Sequence, residues 1–440
     1  MNKYGLVWDE ERVPEDIVIK TEEQTPYIEE VKKLSTKGKG TSHILIEGDN
    51  YASLTAMQNT HKNSIDIICV DPPYNTGNEF IYNDKRVDDE DNYRHSKWLN
   101  FMNKRMRLAY NLLKDDGICY IFIGHDELAN LILLSDQIFG RQNRLSIISR
   151  RSKAKVDRSS KNFSGNCDYI LVYSKTIKFA RIREGINPKD FKLEDENGKY
   201  KLEPLMKNAV TGGDSIYDIT CPNGEIIRPT NGVTWSCVKS TFHDKYEKGM
   251  IVIKPSNTRN IEGTQAPFYK KYLKDAEKKG RSVKNFLADN SFLNDNGSKE
   301  VRDLFDGEKV FDYPKPTALI KHLIKITNKP NNITVMDFFA GSGTTGHAVI
   351  DLNAEDEGTR SSIMCALNDF DDDADICTDV TYKRLKLVID GWRKKYNDQL
   401  DLLGAGFPPT IKFFKTKHAS NNDPLTVMRA EEITKNSLKW

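Results

Sequence analysis

The sequence predicts an α/β protein built on a parallel sheet, and three observations carry that reading. Short apolar, β-rich runs alternate with helical patterns in both halves of the chain, the order that builds strand-helix-strand units. The run Ile65-Asp66-Ile67-Ile68-Cys69-Val70 stops abruptly at Asp71-Pro72-Pro73-Tyr74-Asn75-Thr76-Gly77. A second run, Ile333-Thr334-Val335-Met336, leads through Asp337 into Gly341-x-Gly343-x-x-Gly346 and a helix. Open α/β sheets bind ligands outside the carboxyl ends of their strands, where both loops must lie.

At 440 residues the chain has room for two or three domains. With 30% charged and 38% hydrophobic residues it has an ordinary globular composition, and a net charge of +2 is weak evidence for a polyanionic partner. Any nucleic-acid surface must therefore come from local patches. Met1 to Arg12 has acidic residues and no apolar core, and no later run approaches the length of a membrane span, so the expectation is a soluble cytoplasmic protein. The seven cysteines, none in a Cys-x-x-Cys pair, read as reduced, packed thiols, and no metal site is expected.

Residues 1–41 are polar and mixed in charge and read as an N-terminal arm. Ser42 to Ile46 is a strand, and Gly48-Asp49-Asn50 turns into a helix through Leu54 and Met57. With the strand before Asp71 this makes a βαβ unit whose two turns should lie side by side. Asp49 alone fits a helix N-cap as well as a ligand contact. Each proline of the Asp71 loop fixes its own φ and restricts the residue before it, so Asp71 and Pro72 are held extended. A carboxylate and a ring on so rigid a loop lose little entropy when a flat substrate docks.

Residues 78–95 form a charged loop, either a lid beside the site or a solvated surface. Leu99, Met102, Met106, Ala109 and Leu112 recur at helical spacing, Ile118 to Ile123 is another buried strand, and Asp126 to Phe139 is the next helix. The basic run that follows contains Arg150, Arg151, Lys153 and Lys155, residue types that contact a phosphate backbone. Asp168 to Lys175 closes this half with a strand. Residues 176–310 lose the alternation and read as a separate inserted domain. The sheet resumes with Lys315-Pro316-Thr317 and a helix through Leu319, Leu323 and Ile326. The glycine motif meets a need for close backbone approach to a cofactor whose anionic end faces helix N–H groups, and taken alone it fits NAD, FAD or S-adenosylmethionine. The strand Ser362 to Leu367 ends at Asn368-Asp369, where a polar group could meet a ribose hydroxyl.

Both motifs together are far more specific. Asp337 to Gly346 resembles the cofactor loop, and Asp71 to Tyr74 the catalytic loop, of amino-methylating DNA methyltransferases. Their order, catalytic loop first, then an insertion, then the cofactor loop, is similar to that of the β-type adenine-N6 enzymes, and much of the chain looks like the modification subunit of type III restriction systems. Gly48-Asp49-Asn50, Tyr313-Pro314-Lys315-Pro316 and Tyr169-Ile170-Leu171-Val172-Tyr173 extend the match, which covers roughly 42–175 and 311–390. Phe338 departs from it where relatives commonly have proline, and Cys167-Asp168 where they often carry His-Glu.

The resemblance implies a Rossmann-like, circularly permuted S-adenosylmethionine-dependent methyltransferase sheet in two parts, 42–175 and 311–395. An inserted target-recognition domain would span 176–310, and a C-terminal extension 396–440. It implies catalysis by Asp71, Pro72, Pro73 and Tyr74: the Asp71 carboxylate and Pro72 carbonyl would accept from an adenine amino group while Tyr74 stacks on the extruded base. The cofactor would lie against Phe339, Ala340, Gly341, Ser342, Gly343 and Thr344, with Asp337, Lys315, Pro316 and Thr317 near its methionine portion. Asp49, Asn50 and Asn368 would lie near its adenosine. Double-stranded DNA, a second copy of the chain and a helicase-nuclease restriction subunit are the implied partners. A nicotinamide dehydrogenase would leave Asp-Pro-Pro-Tyr unexplained, and cytosine-C5 chemistry would need a Pro-Cys nucleophile that the chain lacks. Cytosine-N4 methylation, commonly with Ser in place of Asp71, and a catalytically silent DNA-binding subunit are the alternatives.

Overall fold

All six residues of the strand Ile65–Val70 are buried, which requires cover on both faces. In the computed structural model, the described residues are Trp8 and 15–76, 94–155, 163–179, 181–208, 214–230, 232–257, 260–368, 375–396, 408–421 and 424–438. The expected lid at 78–95 lies almost wholly outside them. The chain divides into two units, Met1–Ile182 with Val283–Trp440, and Arg183–Ser282.

The larger unit is built on a ten-stranded sheet. Its strands are β1 (Gln24–Glu30), β2 (Ser42–Glu47), β3 (Ile65–Val70), β4 (Leu113–Ile123), β5 (Arg144–Arg151), β6 (Cys167–Ser174), β7 (Phe286–Leu287), β8 (Thr334–Asp337), β9 (Ser361–Ala366) and β10 (Thr410–Ser420). The order across the sheet is β1-β10-β2-β9-β8-β3-β4-β6-β5-β7. From β10 to β4 every pair is parallel. β6 runs antiparallel to β4 and β5, and β1 antiparallel to β10. The sheet is therefore mixed, with a parallel centre.

The helices that cover it are α1 (Asp16–Glu23), α2 (Asn50–Met57), α3 (Arg94–Leu112), α4 (Leu128–Ser135), α5 (Asn294–Leu304), α6 (Thr317–Ile326), α7 (Thr344–Asp356), α8 (Lys383–Tyr396) and α9 (Pro424–Ser437). Strand alternation sorts the core into two layers. Ile68, Val70, Cys119 and Ile121 pack with Leu54, Met102, Met106 and Leu131 of α2, α3 and α4. Ile67, Cys69, Tyr120 and Phe122 pack with Leu319, Leu323 and Val349 of α6 and α7.

Three expectations change. The turns after β2 and β3 do not come from neighbouring strands, because β9 and β8, from late in the chain, pair between them. The N-terminal arm and C-terminal extension are not peripheral: β10 inserts between β1 and β2 and buries Ile411, Phe413 and Phe414 completely. The separate unit is narrower than 176–310, since β7 pairs with β5 and α5 lies in the larger unit. The smaller unit combines short antiparallel sheets with the helices Lys239–Glu247 and Leu273–Lys279, around Leu205, Tyr217, Ile227, Trp235 and Phe242. The Trp235 indole is fully buried and donates to the Tyr217 carbonyl at 2.8 Å. The cysteines in the described residues are all free, with Cys167 exposed rather than packed. Among the described residues no helix is long and apolar enough to cross a membrane.

If β10 is a core strand, Phe414→Ala should destabilise the larger unit by about 3–5 kcal/mol. Urea unfolding followed by far-UV circular dichroism measures this, and a change within experimental scatter would return 408–421 to the periphery.

Candidate active site

Parallel pairing of Val335 with Ile67 and Met336 with Ile68 sends the Asp71 and Asp337 loops out at the same sheet edge. The cleft between them is lined by Asp71, Phe122, Lys315, Asp337 and the glycine loop, with Phe311 and Tyr313 at its side.

On the first loop, Asp71 Oδ2 accepts from Lys315 Nζ at 2.5 Å, while Oδ1 is buried without a hydrogen bond of ordinary geometry, although the Tyr74 phenol, itself unpaired, interacts with this carboxylate. A buried carboxylate oxygen left without a good partner is costly. The Trp98 indole donates to the Pro73 carbonyl at 2.8 Å. The half-buried Tyr74 ring lies against Gly124, where a Cβ would come within 3.0 Å of Tyr74 Cδ2. Burial raises the Tyr74 phenol well above its usual range, with the Asp71 carboxylate adding to the effect, so the ring stays neutral. Lys315 Nζ also lies 5.1 Å from the centre of that ring.

On the second loop, the Asp337 carboxylate accepts from the Phe339 amide at 3.0 Å and the Thr345 hydroxyl at 2.6 Å. Burial pushes its pKa from 3.8 up to about 7, aided by Asp71 and opposed by those two hydrogen bonds and the Lys315 ammonium. Gly341 and Gly343 have φ of 48° and 78°, the left-handed region that favours glycine. Gly346 serves packing instead: a Cβ there would come within 2.6 Å of the Met364 side chain. Helix α8 and the turn before it tie the loop down. Thr381 donates to the Gly341 carbonyl at 2.6 Å, and buried Arg384 donates to Ser342 Oγ and Thr344 Oγ1, each at 3.0 Å. Burial keeps His347 neutral, so its Nδ1 can accept from Arg384 at 3.2 Å.

Of the residues expected to hold a cofactor, Lys315, Asp337, Phe339, Ala340, Gly341, Ser342 and Thr344 line the cleft. Asp49, Asn50, Pro316, Thr317, Gly343 and Asn368 do not. Asp49 caps α2, accepting from the Tyr51 amide at 2.7 Å. Asn50 donates to the Phe338 carbonyl at 2.9 Å and accepts from Arg105 at 2.5 Å. Thr317 gives its amide and hydroxyl to Glu300, and Asn368 accepts from the Cys377 amide at 2.8 Å. Asp49, Asn50, Thr317 and Asn368 are thus held by bonds within the protein, and Asn50 is the one among them that reaches the loop after β8.

The basic run needs a correction. Arg150 is fully buried, binds Asp168 through Nε at 2.7 Å and through Nη2, and donates to the Phe292 carbonyl at 3.1 Å. It is a structural ion pair, and so closed to a phosphate. Arg151 is partly buried, and Lys153 and Lys155 are exposed; Asp157, Arg158 and Lys161 lie outside the described residues. Sequence reasoning also passed over Trp98, Glu127, Thr381 and Arg384. For Glu127 a signal was present, since it follows β4, the neighbour of β3, at the same sheet edge. Among the described residues no cluster of His, Cys, Asp and Glu could hold a metal ion.

A family model described as DNA methylase matches residues 65–370. The Mod subunit of the type III restriction-modification enzyme StyLTI from Salmonella typhimurium is 33% identical over 362 residues, covering 76% of this chain and 53% of the relative. The type II methyltransferase M.KpnI from Klebsiella pneumoniae is 31% identical over 369 residues, covering 78% of this chain and 84% of the relative. The EcoPI Mod subunit of Escherichia phage P1 is 30% identical over 383 residues, covering 74% and 58%. The chain thus spans between half and three-fifths of the type III subunits it matches. The matched stretch contains both loops of the cleft, and the chain belongs to the DNA methylase family.

Proposed function

We propose that this protein transfers a methyl group from S-adenosylmethionine to the N6 amino group of an adenine flipped out of duplex DNA, as the modification component of a restriction-modification system. The observation that carries this is the open Asp71 Oδ1, buried beside a glycine loop on the adjacent parallel strand.

The adenine amino lone pair is delocalised into the ring, which makes the nitrogen a poor nucleophile. Two acceptors aimed at its hydrogens draw it toward tetrahedral geometry and localise that pair. Asp71 Oδ1 is one acceptor and the Pro72 carbonyl the other, the Pro73 carbonyl being committed to Trp98. Asp71 need not be a strong base, because the amine becomes acidic only as the new C–N bond forms. A neutral Tyr74 ring stacks on the base and offsets part of its extrusion, a cost of a few kcal/mol. Positioning of the two reactants can supply about 7–11 kcal/mol of the barrier reduction.

S-adenosylmethionine, when bound, supplies the electrophilic methyl. The residues present fit it: Asp337 and Lys315 place a carboxylate and an ammonium in one cleft, complementary to the zwitterionic methionine end, and the glycine loop lets its body approach the backbone. Asp71 in the place commonly held by serine in cytosine-N4 enzymes, and the type III Mod relatives, favour adenine over cytosine. We read the strand order as the circularly permuted β-type arrangement, and Arg183–Ser282 as the target-recognition domain. A second copy of the chain and a restriction subunit would be the protein partners, in the cytoplasm.

Asp71→Ala should abolish methyl transfer while leaving S-adenosylmethionine affinity within about twofold by isothermal titration calorimetry; an active Asp71→Ala protein would sink the mechanism. Asp337 gives a pH signature. Its folded-state value of about 7 lies above the ordinary 3.8, so its contribution to stability falls as pH rises through that window. Ionised Asp337 is the form that pairs with the cofactor ammonium, so cofactor affinity should rise with pH through about 7, and Asp337→Asn should lose that rise. A flat wild-type profile would remove Asp337 from the site. Replacing Arg151, Lys153 and Lys155 by alanine should make the salt dependence of DNA binding shallower, by up to about 0.9 for each phosphate no longer neutralised. An unchanged slope would leave this run as solvated surface.

A further inference from the structure

We propose that Glu127 is the positioning residue of the catalytic loop, acting through Asn75 to set the direction in which Asp71 and Tyr74 face the base. The Glu127 side chain is fully buried, yet no Lys or Arg pairs with it among the described residues. Its Oε1 accepts from Asn75 Nδ2 and from His95 Nδ1, each at 2.5 Å, and its Oε2 accepts from Asn130 Nδ2 at 2.8 Å. His95 Nε2 in turn faces Arg94 Nε at 3.4 Å. Burying a carboxylate costs several kcal/mol even when it is well bonded. Simple packing at this place would be served more cheaply by an apolar side chain, so the carboxylate is here for the donors it gathers.

The loop is held from two sides. Glu127 stands just beyond the end of β4, and His95 and Trp98 project from α3. Trp98 holds the Pro73 carbonyl, and Glu127 holds the Asn75 side chain, so Tyr74 is clamped on both sides. The two prolines already restrict the loop before Tyr74. The remaining freedom is at Asn75, whose φ is 55°, a left-handed conformation that asparagine tolerates better than most residues. The side-chain tie to Glu127 selects that conformation. With it fixed, the Tyr74 ring seats on Gly124, three residues before Glu127, and Asp71 keeps its place in the lining of the cleft.

The inference rests on the methyl-transfer reading, and its test separates the two. Full-length protein is assayed with tritiated S-adenosylmethionine on PCR-amplified, hence unmethylated, genomic DNA, and cofactor Kd is measured alongside. Asn75→Gly removes the tie while still permitting the left-handed backbone at no steric cost. It should lower kcat by on the order of 100-fold, the scale of a 1 Å misplacement, with cofactor Kd unchanged. Glu127→Leu should do the same, and Glu127→Gln, which retains an oxygen acceptor, should recover most of the loss. The Asn75→Gly/Glu127→Leu double variant should be no worse than either single one, because both break the same link. Should Glu127→Leu fail to fold, Asn75→Gly decides. Normal kcat in Asn75→Gly, or losses that multiply in the double variant, would overturn the proposal while leaving the methyl-transfer reading intact. An inactive wild type would overturn both.

Discussion

Parallel pairing between β3 and β8 joins two segments separated by most of the chain, through the registers Ile67 with Val335 and Ile68 with Met336. Everything in the cleft depends on it. A one-residue slip would turn Met336 from one core layer to the other and carry Asp337 away from Asp71. The slip is opposed by burial on both faces, since α2, α3 and α4 cover one side and α6 and α7 the other. β5 to β7, β1 and β10 extend the sheet on either side of this central pair.

The register brings three charges into one poorly solvated space. Asp71 and Asp337 repel each other, and Lys315 faces both. Without the ammonium, buried Asp337 and half-buried Asp71 would share the cleft with nothing to offset their repulsion. Lys315 opposes the rise that burial and Asp71 cause at Asp337, which stands near its midpoint at neutral pH. Tyr74 and His347 are both held uncharged by burial, while Arg384, against the glycine loop, keeps its charge at neutral pH although burial lowers its pKa to about 10.

How much of this was legible in the sequence follows from the range of each interaction. Ile65–Val70 and the glycine turn were readable because period, length and turn residues are local signals, and they place both loops at strand ends. Lys315 was readable as a site residue, but its partner Asp71, 244 residues away, was not. Arg150 was misread because its burial depends on the antiparallel register that sets it opposite Asp168, and an arginine among lysines carries no mark of that pairing. Asn50, Thr317 and Asn368 sit at the expected turns, and the partners their polar groups bond, the Phe338 carbonyl, Glu300 and the Cys377 amide, are not encoded in residue identity. β10 was missed because lysines interrupt Ile411, Phe413 and Phe414, and its partners lie at the opposite end of the chain.

The central claim is chemical: an open carboxylate oxygen beside a glycine loop is there to receive an exocyclic amine. Incubating the protein with deuterated S-adenosylmethionine and unmethylated duplex DNA, then digesting to nucleosides for mass spectrometry, reads the product atom directly. The account predicts labelled N6-methyladenine as the sole methylated nucleoside, and labelled N4-methylcytosine, or no labelled nucleoside at all, would contradict it.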